Sequence, residues 1–168
     1  MSARKIMVLG EIGVGKSSLV RRLVHKTFEA VYNPTIGVDV YQYDVPPSEK
    51  GEPVSLIVWD TDGNLGDAIF RHVYMKEAAA ALIVGDATRR STLDSMVTYA
   101  SGFAEAMPGR FFGFAVNKID LMRPGERPEL PTALSRDANP LVETSALTGE
   151  NVTHVFHEAA RAILRRGQ

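Results

Sequence analysis

The eight residues Gly10-Glu11-Ile12-Gly13-Val14-Gly15-Lys16-Ser17 constrain this chain more than any others. They stand between a short apolar run, Lys5-Ile6-Met7-Val8-Leu9, and a stretch in which Leu19, Val20, Leu23 and Val24 line one side of a helix while Arg21, Arg22, His25 and Lys26 line the other. The spacing predicts a buried strand followed by an amphipathic helix. The junction fits G-x-x-x-x-G-K-[ST] in the strand-to-helix context that this pattern requires. Glycines there let the backbone curl, so that N–H groups and the positive end of the helix converge on one point suited to a phosphate. On this reading Gly13, Val14 and Gly15 wrap the phosphates, with Ser17 and Ser18 opening the helix. Lys16 brings a cation to the β and γ phosphates, and the Ser17 hydroxyl is available to Mg²⁺. The loop alone leaves kinases, ATPases and GTPases open.

Further apolar runs follow at Val54 to Trp59, Ala79 to Val84 and Phe111 to Val116, each ending at a Gly, Asp or Asn. Their near-continuous hydrophobicity predicts strands buried on both faces. The tail repeats the helical pattern, with Val152, Val155, Phe156, Ala159, Ala160, Ile163 and Leu164 on one stripe. Strands alternating with helices predict an α/β fold with a mainly parallel sheet, helices on both faces, and ligands at the carboxyl ends of the strands. Val38 to Val45, joined to the next strand by the turn-rich Pro46 to Gly51, reads as a hairpin and so as one antiparallel edge pair. Arg123 to Pro131, with three prolines, reads as a surface loop.

No repeat or linker divides the 168 residues, so residues 1–168 are expected to form one domain, burying roughly two-thirds of the unfolded surface. A net charge of -1 argues against a nucleic-acid partner, which needs a basic face. The chain has no cysteine, which excludes disulfides, thiolate metal sites, prenylation and palmitoylation, and Ser2 excludes myristoylation of a second-position glycine. No run is long enough to span a bilayer. A cytoplasmic protein without a lipid anchor, touching membranes only through a partner, is the expectation.

Base chemistry separates the nucleotide classes. Asn117-Lys118-Ile119-Asp120 follows the predicted strand Phe111 to Val116, placing a carboxylate at its carboxyl end. Guanine offers N1–H and N2–H donors side by side, and one carboxylate accepts both; adenine cannot make that pair. Taken in order, these motifs resemble those of Ras- or Rab-type small GTPases over essentially the whole chain. The resemblance implies a P-loop three-layer sandwich with a mostly parallel six-stranded sheet and one antiparallel edge hairpin. It also implies a switch that binds GTP or GDP with Mg²⁺, hydrolyses GTP, and meets effector, exchange and activating proteins through its switch regions. Pro34-Thr35-Ile36-Gly37 resembles the first switch, with Thr35 on the metal. Trp59-Asp60-Thr61-Asp62-Gly63 resembles the opening of the second, with Asp60 holding the metal through water and Gly63 meeting the γ-phosphate. Ser17, Thr35 and Asp60 are then the metal residues. Asn117, Lys118 and Asp120 match the base motif, Ser145 and Ala146 with the adjoining Leu147 support the base, and Phe28 stacks on it. The catalytic set implied is Lys16, Thr35, Gly63 and Asn64.

Several positions depart from the family pattern. Asn64 stands where active members carry a glutamine that orients the attacking water, and Ile12 stands where a small residue is favoured. Asp62 replaces a common alanine and adds charge beside the γ-phosphate. An amide one methylene short misplaces water by about an ångström, enough to cost on the order of a hundredfold in rate. Slow hydrolysis is the expectation, and a nucleotide-locked scaffold with little turnover is the alternative. Arg71 and His72 are ordinary surface positions that could substitute in water placement. Leu147 replaces a lysine common over the base, and Ala30 lacks a carboxylate some relatives place near the ribose. His154 and His157 lie one helical turn apart without a third ligand and read as a solvated face. A kinase or ATPase reading is disfavoured by Asp120 and by the lack of an arginine-rich lid. The missing lipidation cysteine fits a prokaryotic member or a truncated chain.

Overall fold

The computed structural model describes residues 2–28, 37–47, 52–61 and 73–167. The elements in chain order are β1 (Ser2–Leu9), α1 (Lys16–His25), β2 (Val38–Val45), β3 (Val54–Thr61), β4 (Ala80–Asp86), α2 (Arg90–Ala106), β5 (Phe111–Asn117), a 3₁₀ turn (Ile119–Leu121), α3 (Thr132–Ser135), β6 (Leu141–Glu143) and α4 (Val152–Arg165). Six strands form one sheet in the order β2-β3-β1-β4-β5-β6. The β2–β3 pair is antiparallel and every other pair is parallel. This is the expected α/β fold with a mostly parallel six-stranded sheet, and the antiparallel hairpin at one edge is the one read from Val38 to Val45 and its turn-rich link to the next strand.

Period-two side-chain direction builds the three layers. On β1, Ile6 and Val8 join one core with α1 and α4, while Met7 and Leu9 join a second core with α2. On β4, Ala80, Leu82 and Val84 face the first core, and Ala81 and Ile83 face the second. That division explains why these strands read as continuous apolar runs rather than alternating ones. Both helical stripes drawn from the sequence dock as expected: Leu19, Val20 and Leu23 of α1 and Val152, Val155, Phe156, Ala159, Ala160 and Ile163 of α4 are buried together against the sheet. The strands extend past their apolar runs, β3 to Thr61 and β5 to Asn117, because these polar residues find buried partners. Thr61 Oγ1 donates to the Val8 carbonyl at 2.7 Å.

The parallel arrangement puts the carboxyl ends of β1, β3, β4 and β5 on one rim. Gly10, Asp60, Asp86 and Asn117 all lie at or just past those ends. Among the described residues no helix is long and apolar enough to cross a membrane.

Phe156 is fully buried in the core shared by α1, α4 and the sheet. Phe156→Ala is expected to lower unfolding stability by about 3–5 kcal/mol, through lost transfer energy and an unfilled cavity. Denaturant unfolding with guanine nucleotide held at constant excess checks it, since bound ligand adds to apparent stability.

Candidate nucleotide-binding site

The loop between β1 and α1 is shaped by its carbonyls. Five in succession are taken by side-chain donors. Lys16 Nζ donates to the Gly10 and Glu11 carbonyls, both at 2.8 Å. Arg89 Nη1 donates to Ile12 at 3.1 Å, Lys118 Nζ to Gly13 at 2.7 Å and Asn117 Nδ2 to Val14 at 3.0 Å. The next carbonyl, Gly15, accepts the Leu19 amide and begins α1. In a planar trans peptide C=O and N–H point opposite ways, so drawing the carbonyls outward turns the amides toward the inside of the curl. Such a concave run of amides at a helix N-terminus is an anion cradle.

Two glycines are required sterically. Gly15 has φ 97°, and a Cβ there would lie 2.3 Å from Asn117 Nδ2. Gly10 has φ 151°, and its Cβ would lie 2.3 Å from the Val84 carbonyl oxygen. The close approach of β4 and of Asn117 to the loop leaves no room for a side chain at either position.

Asn117, almost fully buried, binds both loops of the site. Its Oδ1 accepts from Thr144 Oγ1 at 3.2 Å and from the Ala146 amide at 3.3 Å, while its Nδ2 holds Val14. Lys118, at φ 65°, lays its ammonium between Gly13 and Asp86, with Oδ2 of Asp86 at 2.9 Å. Burial would raise the Asp86 carboxyl, but hydrogen bonds from Thr88 and the charge of Lys118 outweigh it and hold Asp86 below the usual carboxylate range. Asp120 accepts from Ser145 Oγ at 2.7 Å, and Ser145 Oγ in turn accepts the Thr148 amide at 3.1 Å. Leu147, next in the chain after Ala146, is 48% exposed, and Phe28, two residues past the C-cap of α1, is 38% exposed.

On the opposite side of the loop, Ser17 Oγ donates to Asp60 Oδ2 at 2.5 Å. Asp60 is fully buried, and its Oδ1 has no hydrogen-bond partner among the described residues. Burial pushes its carboxyl up to about 6, opposed by the Ser17 hydroxyl and the Lys16 ammonium. A buried carboxylate with an unsatisfied oxygen and a hydroxyl beside it is a donor set suited to a hard cation.

The family of the chain is settled by comparison. The Ras family model matches residues 5–165. This chain belongs to the Ras family of small GTPases. The Ras-related protein Rab-4B of Rattus norvegicus is 35% identical over 165 residues, covering 96% of this chain and 76% of the relative. Rab5A of Oryza sativa subsp. japonica is 32% identical over 167 residues, covering 98% and 81%. Rab-22A of Canis lupus familiaris is 31% identical over 168 residues, covering 95% and 82%. This Ras-family GTPase is therefore a guanine-nucleotide-binding switch that hydrolyses GTP.

Of the residues singled out in the sequence, Gly13, Val14, Gly15, Lys16, Ser17, Ser18, Asp60, Asn117, Lys118, Asp120, Ser145, Ala146 and Leu147 lie at the strand ends, in the loops just described or at the start of α1, and Phe28 follows the C-cap of α1 by two residues. Ala30, Pro34, Thr35, Ile36, Asp62, Gly63, Asn64, Arg71 and His72 lie outside the described residues. Thr144, within the last motif Glu143-Thr144-Ser145-Ala146, braces Asn117. Three contributors escaped the sequence reading. Asp86 braces Lys118. Arg89 caps the Ile12 carbonyl, and Ser95 Oγ on α2 donates to Glu11 Oε1 at 2.7 Å. Asp86 closes an apolar run, which could have marked it; Arg89 and Ser95 carry no local signal, because their partners lie 77 and 84 residues away.

Gly15→Ala is expected to weaken binding of a fluorescent GDP analogue by roughly ten- to a hundredfold, since the methyl group must displace Asn117 or strain a left-handed backbone. Equilibrium titration measures it, and unchanged affinity would contradict the steric account.

Proposed function

We propose that the cradle at Gly10 to Ser17 holds the phosphates of GTP and GDP and that the Asp120 corner selects guanine. The observation that carries this reading is the Asn117 side chain, whose two ends join the phosphate loop and the Thr144 to Ala146 segment into one site. Asp120, oriented by Ser145, accepts guanine N1–H and N2–H, while Phe28 and Leu147 cover the base faces, Ala146 supports the ring edge and Lys118 lines the pocket. Lys16 moves its ammonium from the Gly10 and Glu11 carbonyls to the β and γ phosphates. Ser17 and Asp60, with Thr35, would hold Mg²⁺, the buried Oδ1 of Asp60 having no other partner among the described residues. When bound, Mg²⁺ would supply positive charge to the phosphates.

Hydrolysis is attack of water on the γ-phosphorus, with rupture of its bond to the β–γ bridging oxygen and release of GDP and phosphate. Negative charge grows on that bridging oxygen. Lys16 and the inward amides of Gly13 to Lys16 neutralise it. Thr35 and Gly63 position the γ-phosphate, and Asn64 takes the place of the water-orienting glutamine. Ile12, its side chain half exposed in the phosphate loop, would crowd that water or an activator's arginine. Binding is preserved and turnover is slow. We further propose a single G domain over residues 1–168. Its partners are effector, exchange and activating proteins that read the switch regions, with no nucleic acid among them, in the cytoplasm. The alternative of a nucleotide-locked scaffold draws on Ile12, Asp62 and Asn64 alone.

Asp120→Asn exchanges one acceptor for a donor. It is expected to cost at least about tenfold in GDP affinity and to shift preference toward xanthosine diphosphate, whose ring bears a carbonyl where guanine has its amine. Competition binding with the two diphosphates reads the shift; retained guanine preference would refute the base assignment. For the chemistry, Asn64→Gln is expected to raise single-turnover phosphate release by about tenfold or more. An unchanged rate would show that Asn64 does not limit hydrolysis.

A further inference from the structure

Arg22 sits three residues from the end of α1, on the face the sequence assigned to solvent, yet its guanidinium is directed at main-chain oxygens of two distant segments. Nε donates to the Ala146 carbonyl at 2.8 Å, Nη2 donates to the Leu147 carbonyl, and Nη1 donates to the Lys26 carbonyl at 3.3 Å. An arginine near a helix end commonly bonds the last carbonyls of its own helix, which accounts for Lys26. It does not account for partners 124 and 125 residues away. The planar fork of a guanidinium holds several acceptors in fixed relative positions, which a lysine cannot do.

The two segments it joins carry the two residues, Leu147 and Phe28, assigned above to the faces of the base. Ala146 and Leu147 belong to the loop after β6, where Leu147 is half exposed. Lys26 caps α1 in a left-handed conformation, φ 55°, and sends the chain toward Phe28, also exposed. Gly149 takes the left-handed conformation, φ 85°, in the turn after Leu147 and lies next to the Arg22 side chain, where a Cβ would make ordinary contact with Cδ at 3.7 Å.

We propose that Arg22 is a positioning residue, a latch that holds the Phe28 and Leu147 sides of the base pocket together and thereby sets the residence time of guanine nucleotide. The inference rests on the base-pocket assignment above. Opening the latch lets the Leu147 loop and the α1 exit separate, so the nucleotide leaves faster, while the groups around the phosphates keep their places. Arg22 touches neither the phosphate loop carbonyls nor Asp60, so the chemical step is untouched.

The test is displacement of a fluorescent GDP or GTP analogue from the full chain carrying Arg22→Ala, Arg22→Lys or Asp120→Asn, alongside single-turnover hydrolysis. Arg22→Ala is expected to raise the dissociation rate by about tenfold and by the same factor for both nucleotides, consistent with loss of charge-assisted hydrogen bonds. Arg22→Lys, keeping charge but not the fork, should resemble Arg22→Ala rather than the unaltered protein. The hydrolysis rate of bound GTP should not change. An unaltered dissociation rate in both Arg22 variants overturns the latch, as does a parallel fall in hydrolysis, which a merely structural role would produce. If Arg22→Ala does not fold, the Arg22→Lys comparison decides. Failure of the latch alone leaves Asp120→Asn with altered base preference; failure of the base assignment leaves that preference intact.

Discussion

The side-chain amide of Asn117 is the contact on which the arrangement of this site depends. It ends β5, lies almost fully buried, and spends its donor on the phosphate loop and its acceptor on the segment after β6. Two loops far apart in sequence are thereby fixed to one another through a single rigid group. A buried amide with unpaired ends would be costly, so the contact is self-enforcing: if either loop shifts, a polar atom is stranded. The tight approach also dictates the glycine at position 15, because the amide nitrogen occupies the space a Cβ would need.

Around that clasp the electrostatics are divided. The base side carries Lys118 held against Asp86, a pair in which each charge keeps the other in place next to the phosphate loop. The metal side carries Asp60, buried with one oxygen unsatisfied and its carboxyl shifted up toward neutrality by burial. A carboxylate in that condition gains most from a cation, since the ion satisfies the stranded oxygen and compensates the desolvated charge. On the proposed reading Lys16 serves both grip and chemistry, while base selection and water placement rest on different groups. That separation allows Ile12, Asp62 and Asn64 to depart from the family pattern while Lys16, Ser17, Asp60 and Asp120 keep to it.

Much of this was legible in the chain itself. The glycine-lysine-serine junction required a strand before it and a helix after it, and β1 and α1 lie there. The apolar runs at Val54, Ala79 and Phe111 became β3, β4 and β5, because a strand covered on both faces has no polar side to show. Asn117 and Asp120 were visible as an amide and a carboxylate closing an apolar run, the carboxylate being the group that guanine's paired donors would need on the proposed reading. Arg22 was read as a solvent-facing charge, since helical periodicity reports which side a residue occupies and not how far a long side chain reaches. Arg89 and Ser95 were silent for a related reason: their acceptors on Ile12 and Glu11 belong to a loop whose shape is decided elsewhere.

Sequence by itself determined the order of strands and helices, the identity of the phosphate loop and the preference for guanine, because each depends on local spacing or on the chemistry of one short motif. Only the tertiary structure decided how the carbonyls of that loop are held outward and which side chains join the base loop to α1. Hydrogen-bond partners separated by roughly a hundred residues meet only after the parallel sheet has brought its strand ends to one rim. No local pattern in the chain encodes that meeting.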